Sequence, residues 1–96
     1  MNIQVVAVFR FKENYLADAL ELLKKLVHTT RKEEGCLQYD IFEDKNNKGV
    51  LFIVELWETE AHLFKHSSAE HLAEFRSQSA GMHEDTTLVY KGFKMF

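Results

Sequence analysis

Between Leu51 and Phe75 the chain reads LFIVELWETEAHLFKHSSAEHLAEF, and its most suggestive side chains fall there. Glu55 interrupts a near-continuous apolar run beside Trp57, the only tryptophan. Three histidines follow at His62, His66 and His71. A carboxylate inside an apolar strand needs a partner, because burying it unpaired is expensive. Histidine is the side chain best suited to exchange protons near neutral pH. A strand and a helix packed on each other would bring these groups to the wall of one pocket. There His66 and Glu55 could move a proton, and Trp57 could stack a planar ligand.

Each of these residues also has a plainer reading. Glu55 could pair across strands with a lysine or arginine, or sit at the sheet margin, and on sequence alone that is the simpler account. Trp57 could be core. His62 and His66, at i and i+4, could place two metal ligands on one helix face, but no third ligand in a recognised spacing accompanies them. The Ser67-Ser68 break after His66 would turn His66 and His71 inward together. Tyr39 could hydrogen-bond a ligand or pack. Cys36 has no local base or oxyanion site, so a small buried residue is expected there rather than a nucleophile. His28 and His83 are expected in solvent. There is no glycine-rich phosphate loop, GxGxxG or GxSxG, and no zinc or iron–sulfur spacing.

The elements that must position these groups follow from periodicity. Ile3 to Lys12 reads as a strand, with Ile3, Val5, Ala7, Phe9 and Phe11 on one apolar face. Asn14 is the expected N-cap of a helix from Tyr15 to Glu34, striped by Leu16, Leu20, Leu23 and Val27 and ended by Gly35. Cys36 to Glu43 is a second strand with Leu37, Tyr39 and Ile41 on one face. DKNNKG, residues 44–49, is a turn, and Val50 to Trp57 a third strand. Thr59 caps a helix through about Lys65. A second helical piece carries Leu72 and Phe75 and stops at Gly81. Asp85 to Phe96 is the last strand, bulged at Gly92.

The order β-α-β-β-α-β predicts an α+β, ferredoxin-like fold with an antiparallel sheet. Two helices cover one face of such a sheet and leave Phe52, Val54 and Leu56 bare on the other. A symmetric homodimer, sheet on sheet, is therefore expected, forming a dimeric α/β barrel.

Ninety-six residues fit one domain. A net charge of −3 with scattered Lys and Arg disfavours a nucleic-acid partner. No apolar run reaches the ~20 residues of a membrane span. The N-terminus MNIQVVAVFRFKEN lacks signal-peptide features, and one cysteine cannot form an internal disulfide, so a cytoplasmic location is expected.

Lys32-Glu33-Glu34-Gly35-Cys36 with Tyr39, Glu55-x-Trp57-Glu58, Ala61-His62-Leu63, His66 and His71 together resemble the antibiotic biosynthesis monooxygenase domain family, and most closely its small quinol monooxygenase-like members. The resemblance spans nearly the whole chain. It implies a dimer through the sheets, the last strand reaching toward the partner. It also implies a pocket between helices and sheet for a small aromatic substrate. Oxygen would be added there without flavin, haem or metal, so no cofactor is expected. On this reading His66 and Glu55 are catalytic, and Trp57, His71, Tyr39 and Phe64 contact substrate. His66 would take the phenolic proton, Glu55 would hold or charge-balance it, and Trp57 would stack the ring.

Haem-degrading relatives carry a first-strand asparagine and a later-helix histidine. Val6, Ala7 and Val8, and Phe75 and Arg76, stand here instead, which points away from that reaction. Relatives that isomerise a phosphorylated signalling sugar keep a similar histidine pair, so an isomerase of a small oxidised metabolite is the alternative. A ligand-binding module without turnover is the third reading.

Overall fold

A computed structural model describes all 96 residues. The elements run β1 (Ile3–Arg10), a 3-10 turn (Glu13–Tyr15), α1 (Leu16–Thr30), β2 (Cys36–Glu43), β3 (Val50–Trp57), α2 (Glu60–Ser67), α3 (Glu70–Ser79) and β4 (Leu88–Gly92). The four strands form one antiparallel sheet in the order β2-β3-β1-β4. This is the ferredoxin-like α+β arrangement, with the helices on one face.

Alternation along β1 and β3 decides that face. Ile3, Val5, Ala7 and Phe9 are buried, and opposite them lie Trp57, Glu55, Ile53 and Leu51, also buried. Ala19, Leu23, Leu26 and Val27 of α1 close over this row. Leu23 and Ile53 are wholly buried, each stabilising the fold by roughly 2–3 kcal/mol. The other face keeps Val6, Val8, Phe52, Val54 and Leu56 only half-buried, with Phe42, Leu88 and Tyr90 exposed beside them. Phe42 and Phe52 stack there, their centroids 5.5 Å apart.

Four expected boundaries move, each for a local reason. Asn14 caps nothing. It lies in the 3-10 turn, and α1 starts at Leu16 without a side-chain cap. The helix ends at Thr30 rather than Glu34, because turn hydrogen bonds take over: Lys32 N–H to Thr29 O, Glu33 N–H to Thr30 O and Cys36 N–H to Glu33 O. Arg31 pins this end to β2, its Nε donating to Tyr39 O at 3.0 Å and its Nη2 to Asp40 Oδ1 at 2.8 Å. Gly35 closes the turn at φ +83°, a left-handed value that favours glycine. A Cβ there would also collide with the His62 ring.

Leu37 is not on the Tyr39 face. Cys36 pairs with Trp57 and Gln38 with Leu56, so Leu37 is the extra residue of a bulge and stands 52% exposed. The last strand is five residues long and unbulged. It pairs only with β1, and Gly92 is its end rather than a kink within it.

The other two predicted junctions form. Asp44 Oδ2 accepts from the N–H groups of Asn46 and Asn47 and from Asn47 Nδ2, each at 3.0 Å, which folds the β2–β3 turn and holds the carboxyl below its ordinary pKa. Thr59 Oγ1 accepts from His62 N–H at 3.2 Å and caps α2. The helix then breaks at Ser68-Ala69. His66 is left in the last turn of α2 and His71 in the first turn of α3.

Candidate active site

Glu33, in the turn after α1, faces that helix break. Its Oε2 accepts from His66 Nδ1–H at 2.6 Å and from His71 Nε2–H at 2.8 Å. A carboxylate only accepts, so it fixes the proton of neutral His66 on Nδ1 and leaves Nε2 as the lone-pair nitrogen. His66 is 4% exposed. Burial pulls its pKa below the ordinary 6.5, while the hydrogen bond and charge of Glu33 push it back up. A buried, neutral, oriented imidazole is a ready general base.

His66 Nε2 has no protein partner, and His66 lines a cavity of about 360 Å³ between the helices and the sheet. That volume is at the small end of ligand pockets. Its walls are mostly apolar, with Val5, Ala7 and Phe9 from β1, Leu72 and Phe75 from α3 and Leu63 from α2. Glu55, Tyr39, Arg76, His83 and Lys91 bring polar groups to it.

Three of the expected site residues, His66, Glu55 and Tyr39, therefore meet in one cavity. They are not connected as expected. Glu55 does not hold His66. Its Oε1 accepts from Trp57 Nε1–H at 2.9 Å, and its backbone oxygen accepts from Gln4 Nε2 at 2.6 Å. Nor is it in a cross-strand ion pair. Burial raises its carboxyl above the ordinary 4.5, partly offset by the Trp57 bond and by the charge of Lys91. Burial, reinforced by Glu55, likewise keeps the Tyr39 phenol protonated far above its ordinary range, so Tyr39 can donate but is no base.

The other three lie outside the cavity. Trp57 is wholly buried, and His66 itself occupies its ring face, with centroids 4.7 Å apart and planes 30° apart. It backs the base and offers the ligand no surface. His71 stands behind Glu33, in a small cleft between α1 and α3. Phe64 is 76% exposed, because the inward face of α2 is taken by Leu63 and His66.

His62 does not join His66 in a metal pair. Its Nδ1 bonds Thr59 Oγ1 at 2.7 Å and its ring covers Gly35. The donor atoms of Glu33, His66 and His71 lie within 4.8 Å of one another, but Glu33 Oε2 already serves both imidazoles at hydrogen-bond length. Ligand atoms around a tetrahedral metal with ~2.0–2.1 Å bonds would stand further apart. His83 is not in solvent either. It packs on Phe11 at 4.9 Å and lines the cavity, and burial lowers its pKa. His28 is exposed, as expected. Cys36 is half-buried, its thiol pushed up to about 11 chiefly by burial, which makes it a poor nucleophile.

Glu33 is the residue that pattern reading passes over. It falls inside the Lys32-Glu33-Glu34-Gly35-Cys36 motif, but placed on a helix running to Glu34 it would read as a solvated helix-end charge. The available signal was the Thr29-Thr30 pair, whose β-branched side chains weaken a helix just before the glycine.

Comparison with known proteins places the chain by family and fold. The family model for antibiotic biosynthesis monooxygenase fits residues 2–78. A 64-residue stretch is 33% identical to the protein named "Putative monooxygenase YcnE" of Bacillus subtilis (strain 168), and covers 67% of this chain and 63% of that relative. The matched part is thus under two thirds of that relative's length. The crystal structure of a conserved protein from Methanosarcina mazei Go1 superposes with a TM-score of 0.95 at 27% identity, over 99% of this chain and 94% of the other. A crystal structure of an antibiotic biosynthesis monooxygenase gives 0.92 at 27% identity, over 97% and 98%.

Proposed function

The chain belongs to the antibiotic biosynthesis monooxygenase family, and from that premise we propose that it is a cofactor-independent monooxygenase of a small quinol or polyphenol, working as a homodimer. The observation that carries the reading is the Glu33–His66 pair, which leaves Nε2 without a protein partner on a residue that lines a mostly apolar cavity.

In this mechanism the substrate ring lies against Val5, Ala7, Phe9 and Phe75. His66 Nε2 takes a phenolic proton, and Glu33 stabilises the imidazolium that forms. A positioned base of this kind contributes about 10²–10⁴-fold. The phenolate is a far better one-electron donor than the phenol and passes an electron to O2. Superoxide and the aryloxyl radical join at a ring carbon, and the His66 imidazolium returns its proton to the peroxide, which gives a hydroperoxide and restores the neutral base. Loss of water leaves a hydroxyquinone. Hydroquinone and O2 thus give hydroxybenzoquinone and water, one oxygen atom in each, with no outside reductant. The apolar walls keep water from the reacting atoms and strengthen each charge interaction.

The dimer covers the half-buried row Val6, Val8, Phe52, Val54 and Leu56, an apolar patch that a lone subunit would leave to water. The test of the chemistry is oxygen uptake with hydroquinone under ¹⁸O2. The expected result is one O2 consumed per quinol, one labelled atom in the product and loss of both in His66→Ala. Hydrogen peroxide as the reduced product, or an unlabelled quinone, would overturn it.

One observation favours a second reading, isomerisation of a small oxidised metabolite by the same base. Arg76 and Lys91 line the cavity and could hold a phosphate. Solvent-deuterium exchange into substrate without oxygen uptake would select it.

A further inference from the structure

The monooxygenase reading leaves two cavity residues without a task. Arg76 of α3 and Lys91 of β4 both line the cavity, and both are exposed, so they belong to its solvent-facing edge. Neither lies within 4.0 Å of any carboxylate, and neither makes a side-chain hydrogen bond. The only acidic group in the lining is Glu55. It sits deeper, 5% exposed, and one of its oxygens is taken by Trp57. Lys91 reaches the cavity from the sheet side. It pairs with Val5, which pairs in turn with Glu55, so the three form one row on the helix-facing surface. Arg76 reaches it from the helix side, directly after the buried Phe75.

Two cations from opposite walls thus line one cavity of a chain whose net charge is −3. Their aliphatic stems extend the apolar wall, while their heads meet whatever stands in the entrance. A neutral quinol would use the wall and the base and leave both heads idle.

We propose that the substrate carries a fixed negative charge, a carboxylate or a phosphate ester, which Arg76 and Lys91 hold at the mouth while the oxidisable ring enters toward His66. The assignment rests on the monooxygenase reading and narrows its substrate class. Arg76 can take the anion through two parallel N–H donors, and Lys91 as a point charge. Anchoring one end also sets how deep the ring goes, and so which hydroxyl meets Nε2.

The test compares three probes under argon by isothermal titration calorimetry: hydroquinone, 2,5-dihydroxybenzoate and 4-hydroxyphenyl phosphate. The expected result is that at least one charged probe binds about tenfold or more tightly than hydroquinone, and that added salt erodes this preference. The tighter of the two charged probes identifies the anion. In Arg76→Met and in Lys91→Met the ratio of charged to neutral affinity falls toward one. In Arg76→Lys part of it survives. Thermal melts of these surface variants check that they fold. If hydroquinone binds as tightly as both acids, or if the ratio ignores both substitutions, the anion site is wrong and the monooxygenase reading stands. If none of the three binds and hydroquinone consumes no oxygen, both fall.

Discussion

Glu33→Gln tests the base most directly. The substitution keeps the shape of the side chain and removes its charge. In the native site one oxygen takes bonds from two imidazoles at 2.6 and 2.8 Å. A charge-assisted bond of this kind contributes about 1.5–3 kcal/mol against about 1 for a neutral one. The difference, about 0.5–2 kcal/mol at about 1.4 kcal/mol per decade, lowers kcat/KM by roughly two- to thirtyfold. The pH profile gives the sharper result. Burial lowers the His66 pKa, and the hydrogen bond and charge of Glu33 are what raise it. With both weakened, His66 loses its proton at lower pH still. The acidic limb of kcat/KM, which reports the free-enzyme base, should therefore move to lower pH. The assay is initial oxygen uptake with hydroquinone across pH 5 to 9, with a thermal melt to check folding. An acidic limb that stays in place or moves up, or a rate no lower than wild type, would refute the claim that Glu33 tunes His66.

Other outcomes follow from the same structure. Glu55→Gln keeps an acceptor for Trp57 and removes a buried charge. The Glu55 pKa is raised on folding, so its charge costs stability once the pH rises above the ordinary 4.5, and the variant should melt a few degrees higher at pH 7 and equally near pH 4. Gly35→Ala combines a left-handed backbone with a clash on His62 and should cost about 2–5 kcal/mol in urea unfolding. Val54→Asp puts a charge in the middle of the open sheet face. Sedimentation velocity should show the proposed dimer shifted to monomer, while a second copy that stays bound would place the interface elsewhere.

Element order was legible from the apolar runs and the turns between them, and a bare sheet face from there being helices for only one side. Burial alternates along β1 and β3 although the residues of β3 are mostly apolar on both faces. The helix break was legible from Ser67-Ser68, and with it the inward turn of His66; His71 instead meets Glu33 outside the cavity. Less readable were features set by contacts between distant residues. Leu37 left its face because of a bulge that shows only in the pairing with β3. Trp57 looked like a ligand wall because an aromatic at a strand end reads the same whether a substrate or an imidazole lies on it. Glu55 drew the role that Glu33 fills, since a carboxylate in an apolar strand stands out and one in a charged turn does not. The two are 22 positions apart in the chain, and only the fold decides which one meets His66.

The turn that carries Glu33 belongs to the first β-α-β segment, while both imidazoles come from the segment after the hairpin. The proton-handling centre is thus a seam between two halves of the polypeptide, and neither half holds a working version of it. The imidazoles take their orientation only when the last helices dock against the first, so under the proposed chemistry turnover would double as a readout of complete assembly. Partly folded chains, with the carboxylate and the rings still apart, would lack the oriented base that the proposal needs.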